Sequence, residues 1–145
     1  MKETRYIIFL LLAVTSIIIS SCDKKDCNGD LDGMWQLTLW TSPAGDTVAT
    51  KENMIFYSVQ LQMMKFQKTS YPEFSMMSSF ENFGSSIRIY DPIVYKGGGH
   101  DSIYSMDTLG CIGVPLDGIM KIDSLTGDRL VLSSISEGRL HFRKY

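Results

Sequence analysis

The sequence predicts an all-β domain, a sandwich or a barrel, and three observations carry that expectation. After residue 31, apolar and polar residues alternate with a period of two, the pattern of strands covered on one face. About seven or eight such runs follow at close spacing, divided by clusters of Gly, Pro, Asn, Asp and Ser. No segment of this part has the length and period of a long amphipathic helix.

The first strand runs from Leu31, with Trp35, Leu37 and Leu39 alternating with Gln36, Thr38 and Trp40. Ser42-Pro43-Ala44-Gly45-Asp46 is turn chemistry. The next strand is predicted to be the longest. Ile55, Tyr57, Val59, Leu61 and Met63 fall on one side and Ser58, Gln60 and Gln62 on the other, with Phe56, Met64 and Phe66 capping its ends. Leu, Gln, Met and Lys are good helix formers, but strict alternation with aromatic and β-branched residues favours a strand. Tyr71-Pro72 breaks the chain.

A third strand is expected from Phe74 to Phe80, with Phe74, Met76, Ser78 and Phe80 on one face. Asn82-Phe83-Gly84 turns it into a fourth through Ile87 and Tyr90 and on towards Tyr95. After the loose Gly97-Gly98-Gly99-His100 stretch, Ile103 to Met106 reads as a short strand and Asp107 to Gly113 as a helical turn or lid. Pro115 and Gly118 bracket the return to regular structure. Ile119 to Asp123, Leu130 to Ile135 and Leu140 to Lys144 are the last strands, and Gly138 suits the left-handed position of a short hairpin.

The start of the chain is different. Lys2 and Arg5 precede a run from Ile7 to Ile19 that is apolar apart from Thr15 and Ser16. It falls short of the roughly 20 residues a membrane-spanning helix needs and suits the apolar core of a signal peptide. Ile19-Ser20-Ser21-Cys22 resembles the lipobox of a bacterial lipoprotein. The resemblance implies cleavage after residue 21, lipid on the Cys22 sulfur and no transmembrane helix, since more than one acyl chain anchors stably. An uncleaved short anchor and an ordinary cleavage site near Ser20 are the alternatives. The expected organisation is a signal peptide at 1–21, a solvated tether at 22–30 with the mixed charges Asp23-Lys24-Lys25-Asp26, and one domain at 31–145.

A net charge of −2 with no basic stripe excludes an electrostatic footprint for nucleic acid. Cys27 and Cys111 remain after Cys22. An exported compartment permits a disulfide between them; a tether cysteine and a buried small apolar residue are the equal alternative. Neither has a metal-ligand spacing, and no metal or cofactor is expected.

Gly33-Met34-Trp35, the strand Ile55 to Leu61, and the ending Ile122-Asp123-Ser124-Leu125, Arg129 to Leu132 and Leu140 to Tyr145 together resemble lipocalin-like lipoproteins of Bacteroidetes. Residues 92–117 depart from the resemblance. It implies an up-and-down antiparallel β-barrel of about eight strands, with a mouth and a closed end plugged by Trp35. Such a barrel leaves room for its own side chains or one small ligand. The candidate ligand pocket is Tyr57, Val59, Leu61, Met63, Phe74, Met76 and Phe80. Met63, Met64, Met76 and Met77 cluster there; methionine adapts to varied apolar ligands, and equally fills gaps in a small core.

Catalysis is not expected. His100-Asp101-Ser102 are neighbours in sequence, which does not build a relay, and His141 alternates with Leu140 and Phe142 on the solvent side. No nucleophile elbow, H-E-x-x-H or phosphate loop is present. Asp91, Asp101 and Asp107 are too scattered for a calcium loop. The expectation is a non-catalytic lipoprotein of the cell envelope, anchored in the outer membrane and periplasmic or surface-exposed, that binds a small hydrophobic ligand. The alternative is an interaction module with a filled core, using Trp40, Tyr90, Tyr95 and Tyr104.

Overall fold

The computed structural model describes residues 27–94 and 102–145. The leader, Cys22, Tyr95, the glycine triplet, His100 and Asp101 lie outside the described residues. Ten strands form one sheet: β1 (Gly33–Thr41), β2 (Thr47–Ala49), β3 (Ile55–Gln60), β4 (Met63–Lys68), β5 (Phe74–Asn82), β6 (Ser86–Val94), β7 (Ser102–Ile103), β8 (Ile119–Leu125), β9 (Arg129–Ser134) and β10 (Gly138–Lys144). Eight of them close a circuit, because β10 pairs back onto β1 through Trp35↔Lys144 and Leu37↔Phe142. Every pairing is antiparallel. Closure leaves no long unpaired edge to recruit a second chain. The small strands β2 and β7 lie off this circuit, on β1 and β6.

Alternation in the sequence becomes inside and outside here. Trp35 and Leu37, Tyr57 and Val59, Met64 and Phe66, Met76 and Phe80, Ile87 and Ile89, Leu130 and Leu132, Leu140 and Phe142 all point inward and join one core. Their partners across the ladders share that face, as cross-strand pairs must: Tyr57 opposes Trp35 on one side and Phe66 on the other. The Tyr57 ring meets Phe66 edge-on at 4.7 Å and Phe142 tilted at 4.7 Å.

The predicted longest strand is instead a hairpin. β3 and β4 pair through Gln60↔Met63, so Leu61 and Gln62 form a two-residue turn. Leu61 takes a φ of 57°, the left-handed region that glycine normally fills. The turn reverses the parity: Met64 and Phe66 face inward and Met63 faces outward with Gln60. A bulge between Leu37 and Leu39 likewise changes the parity of β1. It leaves Trp40 packed against the core, its indole N–H donating to the Glu137 carbonyl at 2.6 Å.

The up-and-down order defines two ends. One carries the Leu61-Gln62 turn, the β5–β6 turn at 83–85, the β8–β9 turn at 126–128 and the C-terminus. The other carries the β1–β2, β4–β5 and β9–β10 connections and the long segment between β7 and β8. Among the described residues no helix is long and apolar enough to cross a membrane.

Candidate functional site: a barrel interior sealed at both ends

The first end is closed by the segment entering β1. Gly29–Leu31 forms a 3-10 turn that lays Leu31 over the barrel, and the Leu31 carbonyl accepts the Trp35 indole N–H at 2.8 Å. Gly33 has a φ of 129°, and a Cβ there would meet the Lys144 side chain at 2.6 Å. The glycine therefore lets Lys144 cross the strand start, where its ammonium sits 4.9 Å from the Trp35 ring centre and donates to the Asp30 carbonyl. Asn28 ties the turn down: its amide donates to the Asp32 carboxylate and to the Leu61 carbonyl, both at 2.7 Å. The glycine two positions before the tryptophan thus has a steric cause.

The other end is closed from inside. Between β7 and β8, Met106–Ile112 forms a 3-10 segment that sends Leu109 and Ile112, followed by Val114, into the barrel core. The Ile112 carbonyl accepts the Tyr57 hydroxyl at 2.8 Å, a buried bond between the plug and the barrel wall. Burial, and then the charges of Cys111 and Glu137, push the Tyr57 hydroxyl well above the usual tyrosine range, so it donates as a neutral phenol. Gly118, at φ 68°, ends the plug against β6: its carbonyl accepts the Ile89 N–H, and a Cβ would collide with the Ile89 carbonyl.

Among the described residues the interior is occupied by side chains: those of the core pack into one cluster and keep 3% or less of their surface accessible. Of the buried hydroxyls, that of Tyr57 is bonded, whereas those of Ser78, fully buried in β5, and of Thr50, just after β2, have no hydrogen-bond partner among the described residues.

A family model for the lipocalin-like domain matches residues 17–145. The chain belongs to the lipocalin-like domain family. Two solved structures share the fold of this lipocalin-like protein. A lipocalin-like protein from Bacteroides uniformis is 22% identical, with 81% of this chain and 100% of that chain covered and a TM-score of 0.60. An uncharacterized protein from Bacteroides eggerthii is 18% identical, with 79% and 98% covered and a TM-score of 0.55. No curated protein matches the sequence.

Within this lipocalin-like barrel the candidate pocket residues separate. Tyr57, Val59, Met76 and Phe80 do face the interior, but as packed core. Phe74 is half-buried against the edge of that core. Leu61 is corrected to the exposed tip of the β3–β4 turn, and Met63 to the outer face of β4, where its sulfur accepts the Ser79 hydroxyl at 3.9 Å. The parity reversal at residue 61 accounts for both. Met64, Phe66, Leu109 and Ile112 take the interior places that the sequence reading missed; a turn without glycine, asparagine or proline left no signal for the first two.

Cys27 and Cys111 are both exposed and no disulfide joins them. Cys27 lies beside the Leu61-Gln62 turn at one end, and Cys111 sits in the plug that enters from the other, its thiol donating to the Thr108 carbonyl. His141 is half-buried on the outer face of β10, opposite Leu39 and Val131. Among the described residues no group of three or more His, Cys, Asp or Glu side chains could hold a metal. Of the interaction candidates, Trp40 is committed to the core edge, Tyr90 is half-buried and Tyr104 is exposed. The larger exposed apolar side chains around the plugged end are Tyr71, Ile103, Leu116 and Ile135, with Tyr71 at 95% and Ile135 at 99%.

Proposed function

We propose that this lipocalin-like domain is a non-catalytic, lipid-anchored protein of the cell envelope that works as a solid scaffold, presenting the rim of its plugged end to another envelope component. The observation that carries this reading is the filled interior: the volume an apolar ligand would occupy holds Tyr57, Phe66, Phe80, Leu109 and Ile112. The exposed Tyr71, Ile103, Leu116 and Ile135 at the plugged end support that choice of surface. The lipobox-like Ile19-Ser20-Ser21-Cys22 supports attachment through lipid on Cys22, at the outer membrane. Native mass spectrometry of the protein from its own host tests the whole reading. Acyl mass on Cys22 and a second polypeptide are expected; a stoichiometric small molecule without a partner chain would refute the scaffold role.

A second reading is favoured by the construction of the plug. Only one interior side-chain hydrogen bond, Tyr57 to Ile112, ties it to the wall among the described residues. Displacing it would open a space lined by Tyr57, Met76, Phe80 and the unpartnered Ser78 hydroxyl, suited to a small apolar molecule with one polar group. Ligand binding in that state would raise the melting temperature with ligand concentration. An unchanged melting temperature across fatty acids and aromatic probes would refute it.

A further inference from the structure

We propose that the barrel end closed by Trp35 rests directly on the bilayer, with Leu61 and Phe83 inserted at the lipid interface. This rests on the lipid-anchor reading of Cys22, and the geometry then decides which way the barrel stands. Cys27 lies in a groove of about 460 Å³ lined by Asn28, Leu61, Gln62 and Phe83. Only residues 23–26 separate it from Cys22, so the lipid lies within about 18 Å of that groove even if the chain is fully extended. The nine residues of β1 rise about 30 Å along the strand, or some 23 Å along the axis of a barrel with ordinary strand tilt. The tether therefore cannot carry the plugged end to the membrane.

The tips at this end have the side chains for the task. Leu61 is 60% exposed and Phe83 is 62% exposed, each at the tip of a hairpin beside the emerging chain. Leu61 occupies a left-handed position where glycine would serve the turn without strain, so the turn itself gives no reason for an isobutyl group there. The third tip, Thr126 to Asp128, is polar, which leans the barrel towards the other two. Charge does not drive the contact. Charge at this end is mixed: Asp32 is held by Asn28, Lys144 lies over Trp35, Asp128 faces Arg129, and Arg129 and Arg143 oppose each other across the β9–β10 ladder. Docking carried by the two apolar tips is accordingly insensitive to salt on a zwitterionic bilayer.

The test uses the full chain made in a host that acylates lipoproteins, reconstituted into phosphatidylcholine vesicles brominated near the headgroup. Three variants carry one added tryptophan each: Leu61→Trp, Phe83→Trp and, at the opposite end, Ile135→Trp. Mass spectrometry of the same samples reads the state of Cys22. Quenching of the added fluorescence at least twofold for the first two, unchanged by salt, with none for the third, is the expected result. Acylated protein whose residues 61 and 83 are quenched no more than residue 135 overturns the docking and leaves the anchor standing. Protein without acyl mass on Cys22 overturns the anchor, and the docking with it.

Discussion

Replacing Tyr57 with Phe isolates the bond that holds the plug. The ring would keep its edge-on contact with Phe66 and its tilted contact with Phe142, both at 4.7 Å. What disappears is the 2.8 Å hydrogen bond to the Ile112 carbonyl, which is left buried without that donor. An intramolecular hydrogen bond contributes about 1 kcal/mol net, and orphaning a buried acceptor raises the cost to about 1–3 kcal/mol. For a domain of this size that lowers the melting temperature by roughly 4–12 °C. Urea unfolding of the mature protein reads the free energy. Hydrogen exchange locates it, with the Gly113 and Val114 amides of the plug opening faster and the β3–β4 ladder unchanged. The alkaline limb provides a second readout. Burial raises the folded-state pKa of Tyr57, so its contribution is fully present below the unfolded value of about 10 and is lost as pH rises through the folded one. The variant lacks that limb. A loss of stability under about 0.5 kcal/mol, within the range of an ordinary surface substitution, would refute the plug as a bonded part of the core.

Ser78→Ala removes a buried hydroxyl that has no partner among the described residues and should stabilise the protein by about 1 kcal/mol in urea unfolding; destabilisation would show that the hydroxyl is bonded. Leu61→Gly relieves a left-handed leucine worth about 1–2 kcal/mol and adds up to about 1 kcal/mol of unfolded-state entropy. Stability should hold or rise slightly, and a clear loss would mean that the Leu61 side chain packs. Asp123 titrates below the usual carboxylate range: burial opposes this, but the Ser133 hydroxyl, Lys121 and Arg139 prevail. Its stabilisation is present above the unfolded value of about 3.9 and is lost as pH falls through the lower folded value. Asp123→Asn should flatten that acid limb while leaving the Tyr57 alkaline limb intact, and an unaltered acid limb would count against the pairing.

Most of the barrel was legible because alternation is local. Trp35, Leu37, Tyr57, Val59, Met76 and Phe80 fell on the right face from spacing alone. The errors cluster where one residue changes parity. At Leu61 the turn is made by a residue whose type gives no turn signal, and everything after it on β4 exchanges faces. At Leu37 to Leu39 a bulge redirects Trp40 inward without a sequence marker. The candidate pocket was less legible for a third reason: interior-facing residues were identified, but the space between them depends on what else enters the barrel.

Amino-acid order alone carried the all-β class, the turns at Gly84 and Gly138 and the Gly33-Met34-Trp35 start, because each depends on backbone angles and contacts a few residues apart or on a regular period. Whether the barrel is hollow was decided only in three dimensions. Leu109 and Ile112 lie some fifty residues from Tyr57, and their burial requires strands from both halves of the chain to surround them, so that a segment of unremarkable composition fills the middle.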